Sequence, residues 1–160
     1  MGKMLVHVTC GPEDPTRAAL AFLVAKAAVG EGHDVKLFLA ADAVQLVRDA
    51  VLDSLTGLGT GSLRESYDAI VAGGGRFYLS GMSSKGRGVT DTDLEGKPAE
   101  MAMPDVVVKL AFDGMCDEPT IKQLEAVLAW ALKQDLPRGT LSERIQAEGG
   151  LGPILNGKAA

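Results

Sequence analysis

The densest concentration of chemistry-bearing side chains in this sequence is Ser80-Gly81-Met82-Ser83-Ser84-Lys85-Gly86-Arg87-Gly88, with three serine hydroxyls, two cations and three glycines in nine residues. Hydroxyls and cations donate to oxyanions, and glycines let a backbone come close to a ligand, so the stretch suits a small anion. A plain surface loop with solvated Lys85 and Arg87 fits the spacing as well. Thr9-Cys10-Gly11 offers a thiol, which a neighbouring Lys85 or Arg87 would turn toward the reactive thiolate. The alternative for Cys10 is a small, half-buried residue filling a strand end. Ala40-Ala41-Asp42 adds a carboxylate.

Other candidates are weaker. His7 and His33 lack the paired spacing of a metal site, and Cys10 and Cys116 form neither a CxxC pair nor a ligand set. Cys116 reads as a buried thiol or loop residue. The alternation Asp91, Asp93, Glu95 lacks the other oxygens of a calcium loop and reads as a solvated turn. Met82, Met101 and Met103 supply adaptable apolar surface to a ligand, a second subunit or the core. No cofactor or metal is expected. Ser80 would need a base to act as a nucleophile, and neither histidine is placed to serve.

The elements that carry these residues follow a strand-helix rhythm. Residues 4–9 are an apolar, β-branched run that stops at Cys10-Gly11-Pro12, which predicts a buried strand. Asp14 before Pro15 predicts a capped helix running toward Gly30-Glu31-Gly32, and residues 34–39 predict the next strand. Two strands joined by one long helix make a βαβ unit with parallel strands. Asp42 is expected to cap a helix over 43–52, and Ser62 with Glu65 to form a capping box for a helix over 63–72. The glycines between them, 57, 59 and 61, have neither the preceding strand nor the Gly-Lys-Ser/Thr of a phosphate loop and read as a flexible connector. Gly73-Gly74-Gly75 ends that helix, and Arg76-Phe77-Tyr78-Leu79 is a third strand. For residues 106–112, Pro104 argues for helix and the β-branched valines for strand, with helix preferred. An amphipathic helix is expected over 120–134 with Trp130 in the core, and a short helix from Thr140. One domain is expected over 1–148, with a flexible tail over 149–160.

Length and composition fit this plan. The chain has 160 residues, 46% hydrophobic and 23% charged, ordinary for a globular domain that buries its own core. A net charge of −5 argues against general nucleic-acid binding. The start of the sequence holds no apolar run of signal-peptide length and no run reaches membrane-spanning length, so no membrane partner and a cytoplasmic location with reduced thiols are expected. In parallel sheets ligands bind beyond the carboxyl ends of the strands, where Cys10, Asp42 and Ser80 all fall. If the three strands are neighbours, their loops converge on one crevice.

The order of Val6-His7-Val8-Thr9-Cys10-Gly11-Pro12-Glu13-Asp14, Arg17-Ala18-Ala19, Gly32-His33-Asp34-Val35-Lys36-Leu37-Phe38-Leu39, Asp42-Ala43-Val44, Ser80-Gly81-Met82-Ser83 and Lys85-Gly86-Arg87-Gly88 resembles the DsrE/DsrF-like family of sulfur-relay proteins. The resemblance implies an α/β fold: an open, mainly parallel sheet with helices on both faces, a flavodoxin-like three-layer sandwich. It also implies a homo-oligomer, trimer or hexamer, and a persulfide-carrying cysteine at the end of the third strand. Here that position is Ser80, which cannot form an S–S bond. Two functions follow. One is a non-catalytic member that binds a small anionic or sulfur-containing ligand, or a sulfur-relay protein partner, through Thr9, Gly11, Asp42, Ser80, Gly81, Met82, Ser83, Lys85 and Arg87. The other is a sulfurtransferase carrying persulfide on Cys10.

Overall fold

The computed structural model describes residues 1–112 together with Lys122, Ala126 and Trp130. The chain divides into two compact units, Met1–Ala111 and Phe112–Ala160, and the first carries the sheet. Of the helix expected over 120–134, only Lys122, Ala126 and Trp130 are described, each of them helical. Cys116, the helix from Thr140 and the tail over 149–160 lie outside the described residues.

Strand β1 (Lys3–Val8) leads through a turn to helix α1 (Pro15–Gly30) and strand β2 (Asp34–Leu39). Asp14 caps α1 by accepting from the Arg17 N–H at 3.2 Å, and Pro15 opens the helix with its φ preset. β1 and β2 pair in parallel with Val8 opposite Leu39. Strand β5 (Arg76–Ser80) pairs with the other side of β2, and β6 (Ala99–Ala102) pairs with β5, both in parallel. The order β1-β2-β5-β6 sets β1 and β5 on either side of β2, about 10 Å apart.

Alternation along the strands sorts side chains into two layers. Val35, Leu37 and Leu39 of β2 and Phe77 and Leu79 of β5 join Ala18, Phe22 and Ala25 of α1 in the larger core. That core also holds Leu63, Tyr67 and Ile70 of helix α3 (Leu63–Ala72). Phe77 packs against Phe22 at 5.8 Å and against Tyr67 at 4.9 Å between ring centres. Each fully buried ring of this kind contributes about 1.5–3 kcal/mol. Phe38, Tyr78 and Ala102 face the opposite way, where Val106 and Leu110 of helix α5 (Pro104–Phe112) cover them. The sheet is therefore parallel with helices on both faces, as expected, and residues 106–112 are helix.

Several local expectations change. Asp42 does not cap a helix over 43–52, because residues Ala41–Val47 form a 3-10 helix that breaks at extended Arg48 before helix α2 (Asp49–Ser54). The Arg48 side chain turns back to other carbonyls, described below. Ser62 is the N-cap residue of α3, but its hydroxyl makes no cap bond, and Glu65 pairs instead with Lys26 of α1 at 2.6 Å. That ammonium holds the Glu65 carboxyl below its usual range. The glycine connector is a small antiparallel hairpin, β3 (Thr56–Gly57) with β4 (Gly61–Ser62). Gly57 packs so closely on α1 that a β-carbon there would meet the Thr16 backbone at 2.9 Å. β6 has no counterpart in the sequence reading. The stretch from Ser80 is not a loop either: after Ser80 it forms helix α4 (Gly81–Arg87), closed by Gly88 in the left-handed conformation at φ 64°.

Candidate functional site

The three strand ends form one edge, with the segment after β2 in the middle. On one side Gly11 is buried against it, and a β-carbon at Gly11 would collide with the Asp42 carbonyl. The Gly11 N–H donates to Glu13 Oε1 at 2.7 Å, which shapes the turn after β1. On the other side α4 is tied to the same segment through Ser83, Arg87 and the Gly88 that closes it. The Ala41 N–H donates to Ser83 Oγ at 3.0 Å, Arg87 Nε donates to Asp42 Oδ1 at 2.7 Å, and Arg48 Nη2 donates to the Gly88 carbonyl at 2.5 Å. Arg48 also pairs with Asp93 at 3.3 Å.

These ties take up most of the groups that could meet a ligand. Ser80 Oγ accepts from the Ser83 N–H at 3.4 Å, so the hydroxyl at the end of β5 serves as the N-cap of α4. Ser84 is buried, and its hydroxyl has no hydrogen-bond partner among the described residues. The Arg87 guanidinium holds the Asp42 carboxyl below its usual range, chiefly by their hydrogen bond, and Asp42 in turn raises Arg87. Both partners are ionised, partly exposed and committed to each other. Lys85 is exposed and in no ion pair among the described residues.

The structure thus joins Gly11, Asp42 and Arg87 in one cluster and Ala41, Ser80 and Ser83 in another. Cys10 is a free, half-buried thiol on the same edge, and Thr9 beside it is exposed. Arg87 is paired with Asp42, not with Cys10. Gly81 begins α4 and lies near Met103 Sδ, where a β-carbon would sit at 4.0 Å, an ordinary contact. Met82 and Met103 are 75% and 58% exposed, the largest apolar side chains presented beside Ser80, while Met101 packs on the larger core. His7 lies over the Phe38 ring at 5.2 Å, and His33 Nδ1 accepts from the Gly2 N–H at 3.0 Å. Asp93 forms a capping box with Thr90 in addition to its bond to Arg48. Among the described residues no group of three or more His, Cys, Asp or Glu stands where it could hold a metal ion. No helix among them is long and apolar enough to cross a membrane.

Sequence reasoning named Ala41 only as part of Ala40-Ala41-Asp42 and Glu13 only within the family resemblance, gave neither a role, and missed Arg48. Glu13 stands in the turn Gly11-Pro12-Glu13-Asp14 but carries no spacing signal. Ala41 is visible only by its backbone: its φ of 49° makes it the one non-glycine residue with positive φ among those described.

A family model described as the DsrE/DsrF-like family matches residues 2–135. No curated protein matches the sequence. Among solved structures, the YchN protein of E. coli is similar at a TM-score of 0.55 and 16% identity, with 70% of this chain and 93% of that one covered. At that identity the likeness concerns the fold.

Proposed function

Since this chain belongs to the DsrE/DsrF-like family, we propose that it is a non-catalytic member of the sulfur-relay group, binding a small anionic or sulfur-containing ligand or a protein partner at the strand ends. The observation that carries the reading is Ser80. A persulfide carrier needs a thiolate at that strand end, and here a hydroxyl occupies it and is engaged in capping α4. A serine oxygen cannot hold a second sulfur. Lys85 and Arg87 offer charge to an anion, and exposed Met82 and Met103 offer polarisable apolar contact to a partner or to a sulfur-bearing ligand. Thr9, Gly11, Gly81 and Ser83 line the same edge.

A second reading rests on Cys10, a free and partly exposed thiol two residues beyond β1: it would carry persulfide in place of Ser80. Incubation with a persulfide donor followed by intact mass separates the two. The first reading expects no added sulfur on the wild type. Sulfur present on the wild type and lost in Cys10→Ala supports the second reading and defeats the first. Sulfur that persists in Cys10→Ala defeats both.

Self-association into a trimer or hexamer and a cytoplasmic location belong to the same proposal. In support, α1 exposes Leu20 and Val24 one turn apart, 49% and 44% accessible, an apolar stripe that a second copy could cover. Light scattering of the wild type against Leu20→Glu tests this. A monomeric wild type would refute it.

A further inference from the structure

Most of the polar groups at the strand ends are satisfied by one another, and the backbone that they hold is strained. Ala41 sits at φ 49°, a conformation that costs an L-residue with a β-carbon free energy and persists only where its surroundings impose it. Those surroundings are specific. Ser83 Oγ takes the Ala41 N–H at 3.0 Å, and the next residue, Asp42, is held by Arg87 Nε at 2.7 Å and wedged against Gly11. Among the described residues only Nε of Arg87 donates, and the rest of its donor fork has no partner among them.

The pair is also within reach of solvent. Arg87 and Asp42 side chains are 30% and 43% exposed, and ion pairs of such exposure contribute little net stability and exchange readily with competing ions. Exposed Lys85, two residues before Arg87 on α4, projects from a different face of the helix and leaves Arg87 as the cation at this point. Glu13 is the other carboxylate acting on Arg87, but it is hydrogen-bonded to the Gly11 N–H and not to the guanidinium.

We infer that the Asp42 carboxylate is an internal stand-in for a small oxyanion at Arg87, and that an arriving oxyanion displaces it and frees the Ala41 segment to relax. The inference rests on the reading of this edge as a ligand site and adds that the site is self-occupied. Ligand arrival and backbone change are then one event: the anion takes the Arg87 donors, Asp42 loses its anchor, and the strained residue beside it loses one of the contacts that hold it.

The test is calorimetric titration with thiosulfate at constant ionic strength, on the wild type, Asp42→Asn, Glu13→Gln and Arg87→Gln. Asp42→Asn is expected to bind about tenfold more tightly than the wild type, since the internal competitor for the Arg87 donors is gone. Glu13→Gln removes the same unit of charge without freeing Arg87 and is expected to stay within about twofold. Arg87→Gln is expected to lose binding. Hydrogen exchange on the wild type gives a readout independent of any variant's folding: thiosulfate should speed exchange at the Ala41 amide severalfold. Equal tightening in Asp42→Asn and Glu13→Gln would reduce the effect to general electrostatics and overturn the inference. Arg87-dependent binding that Asp42→Asn leaves unchanged, or an Ala41 amide whose protection thiosulfate does not alter, would overturn it while the ligand-site reading stands. Absence of thiosulfate binding in every variant would overturn both.

Discussion

The layer beneath α1 and α3 and the edge beyond the strand ends are built on opposite physical terms. Beneath the helices, Phe22, Phe77, Leu37 and Ile70 are wholly buried, and the contacts are apolar and non-directional. At the edge, the contacts between α4 and residues 41–48 include single directional bonds, Ser83 to Ala41, Arg87 to Asp42 and Arg48 to Gly88, between groups that water also reaches. The first region has nothing to exchange. The second adds bonds that an incoming ligand could replace, while Ala43, Val44, Leu46 and Val47 of the same segment stay buried in the larger core. A rigid layer beside an exchangeable edge is what a binding site on a stable scaffold requires.

Substitutions can break or sharpen that contrast. The largest effect belongs to the apolar layer: Phe77→Ala empties a buried position between Phe22 and Tyr67 and should lower unfolding free energy by ~3–5 kcal/mol in a denaturant titration. A loss below ~1 kcal/mol would mean that the layer is not the scaffold. Next comes the contact where the two regions meet. Gly11→Ala places a β-carbon into the Asp42 carbonyl and within 2.8 Å of Glu13 Oε2, for an expected loss of ~1–3 kcal/mol. A neutral outcome would show that the segment after β2 moves freely.

How much of the contrast the sequence carried follows from its chemistry. β1, α1, β2, α3 and β5 were legible because each combines an apolar run with a stop or a cap: Cys10-Gly11-Pro12, Asp14-Pro15, Gly73-Gly74-Gly75. β6 was not. Ala99-Glu100-Met101-Ala102 has no β-branched or aromatic residue, and its strand conformation is set by pairing with β5. α4 carries two glycines in seven residues and no apolar period, so it reads as a loop. Its helix depends on the Ser80 cap and on Gly88 at its end. The sequence placed Cys10, Asp42 and Ser80 on one edge, and they are on one edge. It could not show that Arg87 is bound to Asp42, because the two are 45 residues apart and only the fold joins them.

Two smaller effects probe each region from within. Ala41→Gly removes the strain of the left-handed backbone and should stabilise the protein by up to ~1 kcal/mol, seen as a raised midpoint of thermal unfolding. A lowered midpoint would mean that the alanine methyl contributes more than its backbone costs. In the apolar layer the Tyr67 hydroxyl is buried without a hydrogen-bond partner among the described residues, and burial pushes the phenol up to about 12. The unfolded phenol ionises near its ordinary value of 10, so the folded state holds the proton longer. Stability is therefore full below pH 10 and falls between pH 10 and about 12. Tyr67→Phe should remove that part of the alkaline slope with little change at neutral pH. An unchanged slope would place the alkaline transition on other groups.

The most direct measurement concerns Ser80. Wild type, and Ser80→Cys in a Cys10→Ala, Cys116→Ala background, are incubated with a persulfide donor and weighed intact. The account predicts no added sulfur with serine in place and one added sulfur on the protein with cysteine there: the strand end keeps the geometry of a carrier and lacks only the thiol. Sulfur retained by the serine protein, or none on Ser80→Cys, would contradict it.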